Sequence, residues 1–207
     1  MKEITYRINE IFYSLQGEGY HAGQAAIFIR LSGCNLKCPF CDTNFSSFKK
    51  MTIDEIMDAV NEAWQGYELP DLCVITGGEP SLQLEPELIV RLKDDGYKVC
   101  VETNGTGELP INVDFITISP KEPFVGGVSS KVILEQCEEI KVVMTSDITD
   151  EQVLAYENIP AGYYFIQPCD TGFIKDNQKI MNRCVEFVKN HPNWRLSLQQ
   201  QKILNVR

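Results

Sequence analysis

Seven short runs of apolar, largely β-branched residues recur along the chain: AAIFIRL (25–31), LCVIT (72–76), YKVCVET (97–103), DFITIS (114–119), EIKVVM (139–144), YYFIQ (163–167) and RLSLQ (195–199). Each predicts a largely buried strand. Helical patterns lie between several of them. In TIDEIMDAVNEAW, Thr52 and Glu55 have the spacing of a capping box, and Ile53, Ile56, Met57, Val60 and Trp64 share one face. EPELIVRLKDDG runs to Gly96, a natural residue after a helix end, and TDEQVLAYEN and DNQKIMNRCVEFVKN complete the alternation. Alternating strands and helices predict parallel pairing with right-handed crossovers. The stretch between Thr103 and Asp114 holds Gly105, Gly107 and Pro110 and is too short for a crossover helix. The expectation is an α/β fold, a partial, open (βα) barrel with reduced helices. Residues 1–207 contain no repeat, low-complexity tract or linker, which predicts one domain.

Most of these strands lead straight into a compact polar signature. IFIRL enters a cysteine loop, CVIT enters GGEP, CVE enters TNGT, ITI enters SPK, and FIQ enters PCD. In a βα barrel the C-terminal strand ends share one face, and that face carries the site. Any one signature reads as a turn; five in register predict a common mouth.

The net charge of −10 argues against a nucleic-acid partner, which needs clustered Lys and Arg. No window reaches the run of about 20 apolar residues that a membrane helix needs. The opening MKEITYRINEIF is charged and lacks an apolar secretory core. A cytoplasmic protein is expected, in which thiols stay reduced. Of the eight cysteines, Cys73, Cys100, Cys137, Cys169 and Cys184 read as isolated, mostly core residues. Cys34, Cys38 and Cys41, spaced Cys-x3-Cys-x2-Cys within CNLKCPFCDT, form a constellation. Zinc would want a fourth ligand, and His21 and His191 are not at ligand spacing. A thiol redox pair of Cys38 and Cys41 would leave Cys34 unexplained. A [4Fe–4S] cluster held by three thiolates keeps one iron open for a small chelating molecule.

The three-cysteine loop, with Phe40 before its last cysteine and GGEP after the next strand, resembles the radical S-adenosylmethionine superfamily. SLQGEG (14–19), CDT (41–43), SPK and QPCD narrow this. Together they resemble the 7-carboxy-7-deazaguanine synthase family of queuosine and other 7-deazapurine biosynthesis. The resemblance runs from INEIFYSLQGEG to WRLSLQQQKILNVR. It implies a carbon–nitrogen lyase that rearranges 6-carboxy-5,6,7,8-tetrahydropterin to 7-carboxy-7-deazaguanine and releases ammonia. It implies a [4Fe–4S] cluster, S-adenosylmethionine and Mg²⁺, an electron donor such as a flavodoxin or ferredoxin, and a homodimer. An enzyme that activates glycyl radicals, or a non-catalytic zinc module, are the alternative readings.

Carried onto this chain, the resemblance assigns the cluster to Cys34, Cys38 and Cys41. It places S-adenosylmethionine among Phe40, Cys41, Asp42, Gly78, Glu79, Ser119, Pro120, Lys121, Gln167, Pro168, Cys169 and Asp170, with Glu79 offering its carboxylate to the cosubstrate ammonium. Thr43 would ligate Mg²⁺ through its hydroxyl. Leu15, Gln16 and Gly17, with Glu18 adjacent, together with Arg30, Thr76 and Arg207, would hold the substrate. No side chain is expected as a classical acid or base. The chain departs from the family pattern at Cys169 and at Gln201–Lys202, where a His often precedes the Lys.

Overall fold

A computed structural model describes residues 3–44, 47–64 and 70–207. Within it, β1 (Thr5–Leu15), β2 (Ala25–Leu31), β3 (Lys49–Thr52), β4 (Leu72–Gly77), β5 (Lys98–Thr103), β6 (Phe115–Ile118), β7 (Cys137–Met144), β8 (Ala161–Pro168) and β9 (Trp194–Leu196) form one sheet. The order across it is β3-β1-β2-β4-β5-β6-β7-β8-β9, so the sheet stays open between β3 and β9. From β2 to β9 every neighbouring pair is parallel; β1 is antiparallel to β2 and β3. This is the expected mixed α/β class, with a mostly parallel open sheet and few helices.

All seven expected strands are present, and β1 and β3 add to them. A register shift between Ile8 and Glu10 hides β1 from a period-two reading. Tyr6 and Ile8 pack in the helix-covered core, whereas Phe12 packs on the opposite face. One extra residue in a strand resets which face each later side chain takes.

The helices are α1 (Ile53–Ala63), α2 (Pro86–Asp94), the single turn α3 (Glu122–Val125), α4 (Asp150–Leu154), α5 (Ile174–Asn190) and the short α6 (Gln200–Leu204). Helix α1 begins with the expected capping box of Thr52 and Glu55. Gly96 follows α2 at φ +95°, a conformation open to a residue without Cβ. No helix joins β5 to β6. Helices α1 and α2 bury Ile56, Met57, Val60, Leu88, Ile89 and Leu92 against Ile27, Ile29, Cys73, Ile75 and Val101. Helix α5 buries Ile180, Cys184 and Phe187 in a second core with Ile140, Val142 and Ile166. Each such side chain contributes about 1.5–3 kcal/mol, so these two layers fix the sheet and its outer face.

Alternation then dictates the inner face. Phe28, Val74, Cys100 and Phe115 form an apolar patch there. Two residues further along β2, β4, β5 and β6 come Arg30, Thr76, Glu102 and Thr117. Arg30 pairs in register with Thr76, Glu102 with Thr117, and Thr117 with Glu139. The inner face therefore turns from apolar to polar toward the C-terminal strand ends.

Candidate active site

The polar signatures converge on one cavity of about 300 Å³ at those strand ends. The cysteine loop, Gly78, Ser119, Lys121 and Gln167 to Asp170 line it, and so do Leu15, Gln16, Gly17, Arg30, Thr43, Thr76 and Arg207. Among the site residues expected from sequence, only Glu79 and Pro120 do not line it.

The cysteine loop is held from several sides. Asn35 Nδ2 donates to Thr106 Oγ1 at 2.8 Å, and Asn104 Nδ2 donates to Asn35 Oδ1 at 3.0 Å. Phe40 packs edge-on against Phe124, 4.8 Å between centroids. Glu79 N–H donates to the Gly33 carbonyl at 2.8 Å, just before Cys34. A Cβ on Gly78 would stand 1.8 Å from that carbonyl oxygen, so only glycine lets the two loops meet.

All three thiols are free, Cys41 is exposed, and Cys34 and Cys38 are half-buried. Burial pushes the Cys34 and Cys38 thiols above their ordinary pKa. Among the described residues, no three His, Cys, Asp or Glu side chains come close enough to hold a single metal ion. Three thiols in one loop but not around one point suit a cluster with an iron for each thiolate.

Glu79 lies behind the cavity lining. It is fully buried, and both carboxylate oxygens face protein donors. Thr103 Oγ1 donates to Oε1 at 2.5 Å, Ser81 N–H to Oε1 at 3.0 Å, and Asn104 N–H to Oε2 at 2.7 Å. Three donors hold the carboxylate in the wall, so in this structure Glu79 braces the loops after β4 and β5. Its fellow outlier Pro120 is buried between Ser119 and Lys121.

At one end of the cavity Glu10 bridges two guanidinium groups. Arg30 Nε lies 2.8 Å from Oε1, and Arg207 Nη2 lies 2.5 Å from Oε2. Both guanidinium groups sit over the Phe12 ring, at 5.7 and 5.3 Å. Ser14 Oγ donates to an Arg207 main-chain oxygen at 2.6 Å, fixing the C-terminal residue beside β1. Thr43 Oγ1 stands 3.4 Å from Arg30 Nη1, a long contact that leaves the hydroxyl oxygen available to a hard cation.

The floor is a buried charged network. Lys141, 5% exposed, reaches Glu18 Oε2 at 2.6 Å and lies 3.7 Å from Glu102 Oε1. Gln199 Nε2 and Gln201 Nε2 both donate to Glu18 Oε1 at 3.0 Å. Gln16 Nε2 donates to Glu102 Oε1 at 3.0 Å. Burial opposes the Glu18 charge, but the Lys141 ammonium and these amides hold its pKa down to about 2. Burial likewise opposes the Lys141 charge, yet Glu102, Glu18 and Glu139 raise its pKa above the usual lysine range. Gly17 lies under Gln201, where a Cβ would stand 1.8 Å from Oε1.

At the other end Lys121 Nζ donates to Ser119 O at 2.8 Å and to Ser119 Oγ at 2.5 Å. Burial lowers the Lys121 pKa. Gln167 Oε1 accepts from Ser197 Oγ at 2.9 Å. Lys202 ties Asp42 at 3.4 Å to Asp170 at 3.1 Å, and so joins α6 to loops on both sides of the mouth. The Gly172 N–H, Asn177 and Lys202 hold the Asp170 carboxyl down to about 2.

The sequence reading missed Glu10, Phe12, Glu102, Lys141 and Gln199. Charged residues at alternate positions of otherwise apolar strands were the available signal for Glu102 and Lys141.

A three-thiol loop at the C-terminal edge of an open, parallel half-barrel defines a radical S-adenosylmethionine enzyme, and the Radical SAM superfamily model matches residues 28–122. The chain is 46% identical to the 7-carboxy-7-deazaguanine synthase of Bacteroides thetaiotaomicron, over 97% of this chain and 98% of that one. The synthase of Caulobacter vibrioides is 36% identical over 98% of this chain and 100% of its own. The crystal structure of QueE from Escherichia coli aligns with TM-score 0.75 and 27% identity, covering 94% of each chain. The chain belongs to the 7-carboxy-7-deazaguanine synthase family. That membership sets aside the glycyl-radical and zinc-module readings.

Proposed function

We propose that the chain converts 6-carboxy-5,6,7,8-tetrahydropterin to 7-carboxy-7-deazaguanine with release of ammonia, serving queuosine or a related 7-deazapurine route. The observation that carries this reading is one cavity in which the three-thiol loop faces Arg30, Thr76, Gln16 and Glu102. Cys34, Cys38 and Cys41 would hold a [4Fe–4S] cluster, which together with S-adenosylmethionine would supply one-electron chemistry. The chain's own residues bind, orient and shield.

Arg30, held by Glu10, offers the rest of its planar fork to the substrate carboxylate. Gln16 and Glu102 present an acceptor-rich edge to the ring amines, with the Thr76 hydroxyl beside them. Leu15, Gly17 and the Arg207 main chain border the same end. Ser119, Lys121, Gln167 and the segment Pro168 to Asp170 face the cosubstrate, with Phe40, Asp42 and Gly78 next to the thiols. Thr43, beside Arg30, would hold Mg²⁺ through its hydroxyl, next to the guanidinium that takes the substrate carboxylate. A flavodoxin or ferredoxin delivers the electron at the exposed Cys41 side, and the working unit is a homodimer in the cytoplasm. No described helix is long and apolar enough to cross a membrane.

The test is anaerobic. Reconstituted protein receives reductant, S-adenosylmethionine, Mg²⁺ and the carboxytetrahydropterin, and the deazaguanine and ammonia are quantified. An intact cluster without either product refutes the assignment. Thr43→Ala should need more Mg²⁺ for half-maximal rate; an unchanged Mg²⁺ response removes Thr43 from the metal site.

A further inference from the structure

Behind Gln16, Glu18 and Glu102 lies a second chamber of about 10 Å³, for which the proposed chemistry has no use. Those three residues line both spaces, so the small chamber adjoins the reaction cavity. Its volume holds one species the size of a water molecule. Its polar wall is rich in acceptors: the Glu18, Glu102 and Glu139 carboxylates, Thr117 and His21.

Charge there is unbalanced. Lys141 pairs with Glu18 at 2.6 Å and approaches Glu102 at 3.7 Å. Glu139, 2% exposed, makes no ion pair within 4.0 Å among the described residues. Its Oε2 accepts the Tyr20 N–H at 2.7 Å and Thr117 hydrogen-bonds it as well, yet burial still raises its pKa, the mark of a carboxylate short of a close cation. Among the described residues, only the Lys141 ammonium lies within ion-pair distance of any of the three carboxylates, and buried carboxylates without a cation are costly.

An independent observation points the same way. His21 is 8% exposed, and its Nδ1 lies 2.9 Å from Gln24 Oε1. An amide oxygen only accepts, so Nδ1 carries the proton and Nε2 is a bare acceptor. Nε2 is buried and has no partner. Burial, and the Lys98 ammonium near Phe115, lower the His21 pKa.

We propose that this chamber binds a water-sized monovalent cation, and that ammonium, the nitrogen product of the reaction proposed above, is its natural occupant. Four N–H donors and a positive charge answer a wall of acceptors that carries excess negative charge. A water would bring two donors and no charge. The ammonium part rests on the proposed function; the cation site does not.

The test has two arms. Thermal unfolding of the cluster-free protein is measured in ammonium, potassium, sodium and choline chlorides at matched ionic strength. Ammonium and potassium, similar in size, should raise the Tm by about 2–4 °C over choline at about five times their Kd. Glu139→Gln should lose that rise. Should Glu139→Gln fail to fold, His21→Phe, which removes the free acceptor, must reduce it. Equal Tm values in all four salts would mean a bridging water only, and would overturn the site. In the second arm, wild-type turnover is followed with added ammonium or choline chloride, and ammonium should slow it selectively. Cation-specific stabilisation without ammonium inhibition of an active enzyme would overturn the product assignment. An enzyme that makes no deazaguanine would refute the function while the thermal arm still judges the site.

Discussion

Lys141→Met tests the charged floor most directly. The substitution keeps the aliphatic stem and removes an ammonium that is 5% exposed and 2.6 Å from Glu18. Glu18 falls from 4.5 to about 2 in the folded chain, which corresponds to roughly 3 kcal/mol of stabilisation at neutral pH. Breaking a buried pair by removing one partner costs about 3–5 kcal/mol, because a carboxylate is left without its cation. The two figures agree on a loss of about 3–5 kcal/mol, or a Tm lower by about 6–20 °C for a chain of this length. The pH dependence has a definite sign. The folded-state pKa of Glu18 is depressed, so its stabilisation is fully present above the unfolded value of 4.5 and is lost as pH falls toward about 2. The gap between wild type and variant should therefore be widest near neutral pH and should close below about pH 4.5. Urea unfolding of the cluster-free protein across that range measures it. A gap under about 1 kcal/mol, or one that ignores pH, would show that Lys141 acts only through its stem.

Two other substitutions separate structure from binding. Glu79→Gln replaces an acceptor-only carboxylate with an amide whose NH2 must face donors among the Ser81 and Asn104 N–H groups and the Thr103 hydroxyl, and should cost about 2–3 kcal/mol. Unaltered unfolding in urea would show that Glu79 is no brace. Gly17→Ala places a methyl 1.8 Å from Gln201 Oε1 and should displace Gln201 from Glu18. The KM for the pterin should rise about tenfold with cluster iron content unchanged; an unaltered KM would place Gln201 outside the substrate wall.

What the sequence disclosed follows from which signals are local. The strands under α1, α2 and α5 are continuous apolar runs because both their faces are shielded or lie deep in the barrel, and all of them were legible. Strand β1 was not, because its bulge between Ile8 and Glu10 breaks the alternation that would mark it. Strand β3 was not, because it is four residues long and half lysine. In the site, loop residues were legible through motifs, since close backbone approach at Gly78 and thiol spacing at Cys34, Cys38 and Cys41 restrict residue type. The direction of the Glu79 side chain was not legible, because a motif names a residue but not where its side chain points. Lys141 and Glu102 were missed because their importance lies in each other and in Glu18, partners 123 positions apart in one case, which no local pattern links.

The row formed by Arg30, Thr76, Glu102 and Thr117 also sets a length scale. Neighbouring strands in a sheet stand about 4.8 Å apart, and Arg30 and Glu102 are two strands apart, with Thr76 on the strand between. Their side chains narrow that backbone spacing of about 10 Å, because the Thr76 hydroxyl donates to Glu102 Oε2 at 3.4 Å and the Glu102 carboxylate so leans toward Arg30. The hydrogen-bonded pitch of the backbone thus spaces the Cα positions of the row, and the side chains set the gap that a ligand meets. The backbone pairing fixes where each of these side chains begins, and side-chain length then decides how far each reaches across the mouth.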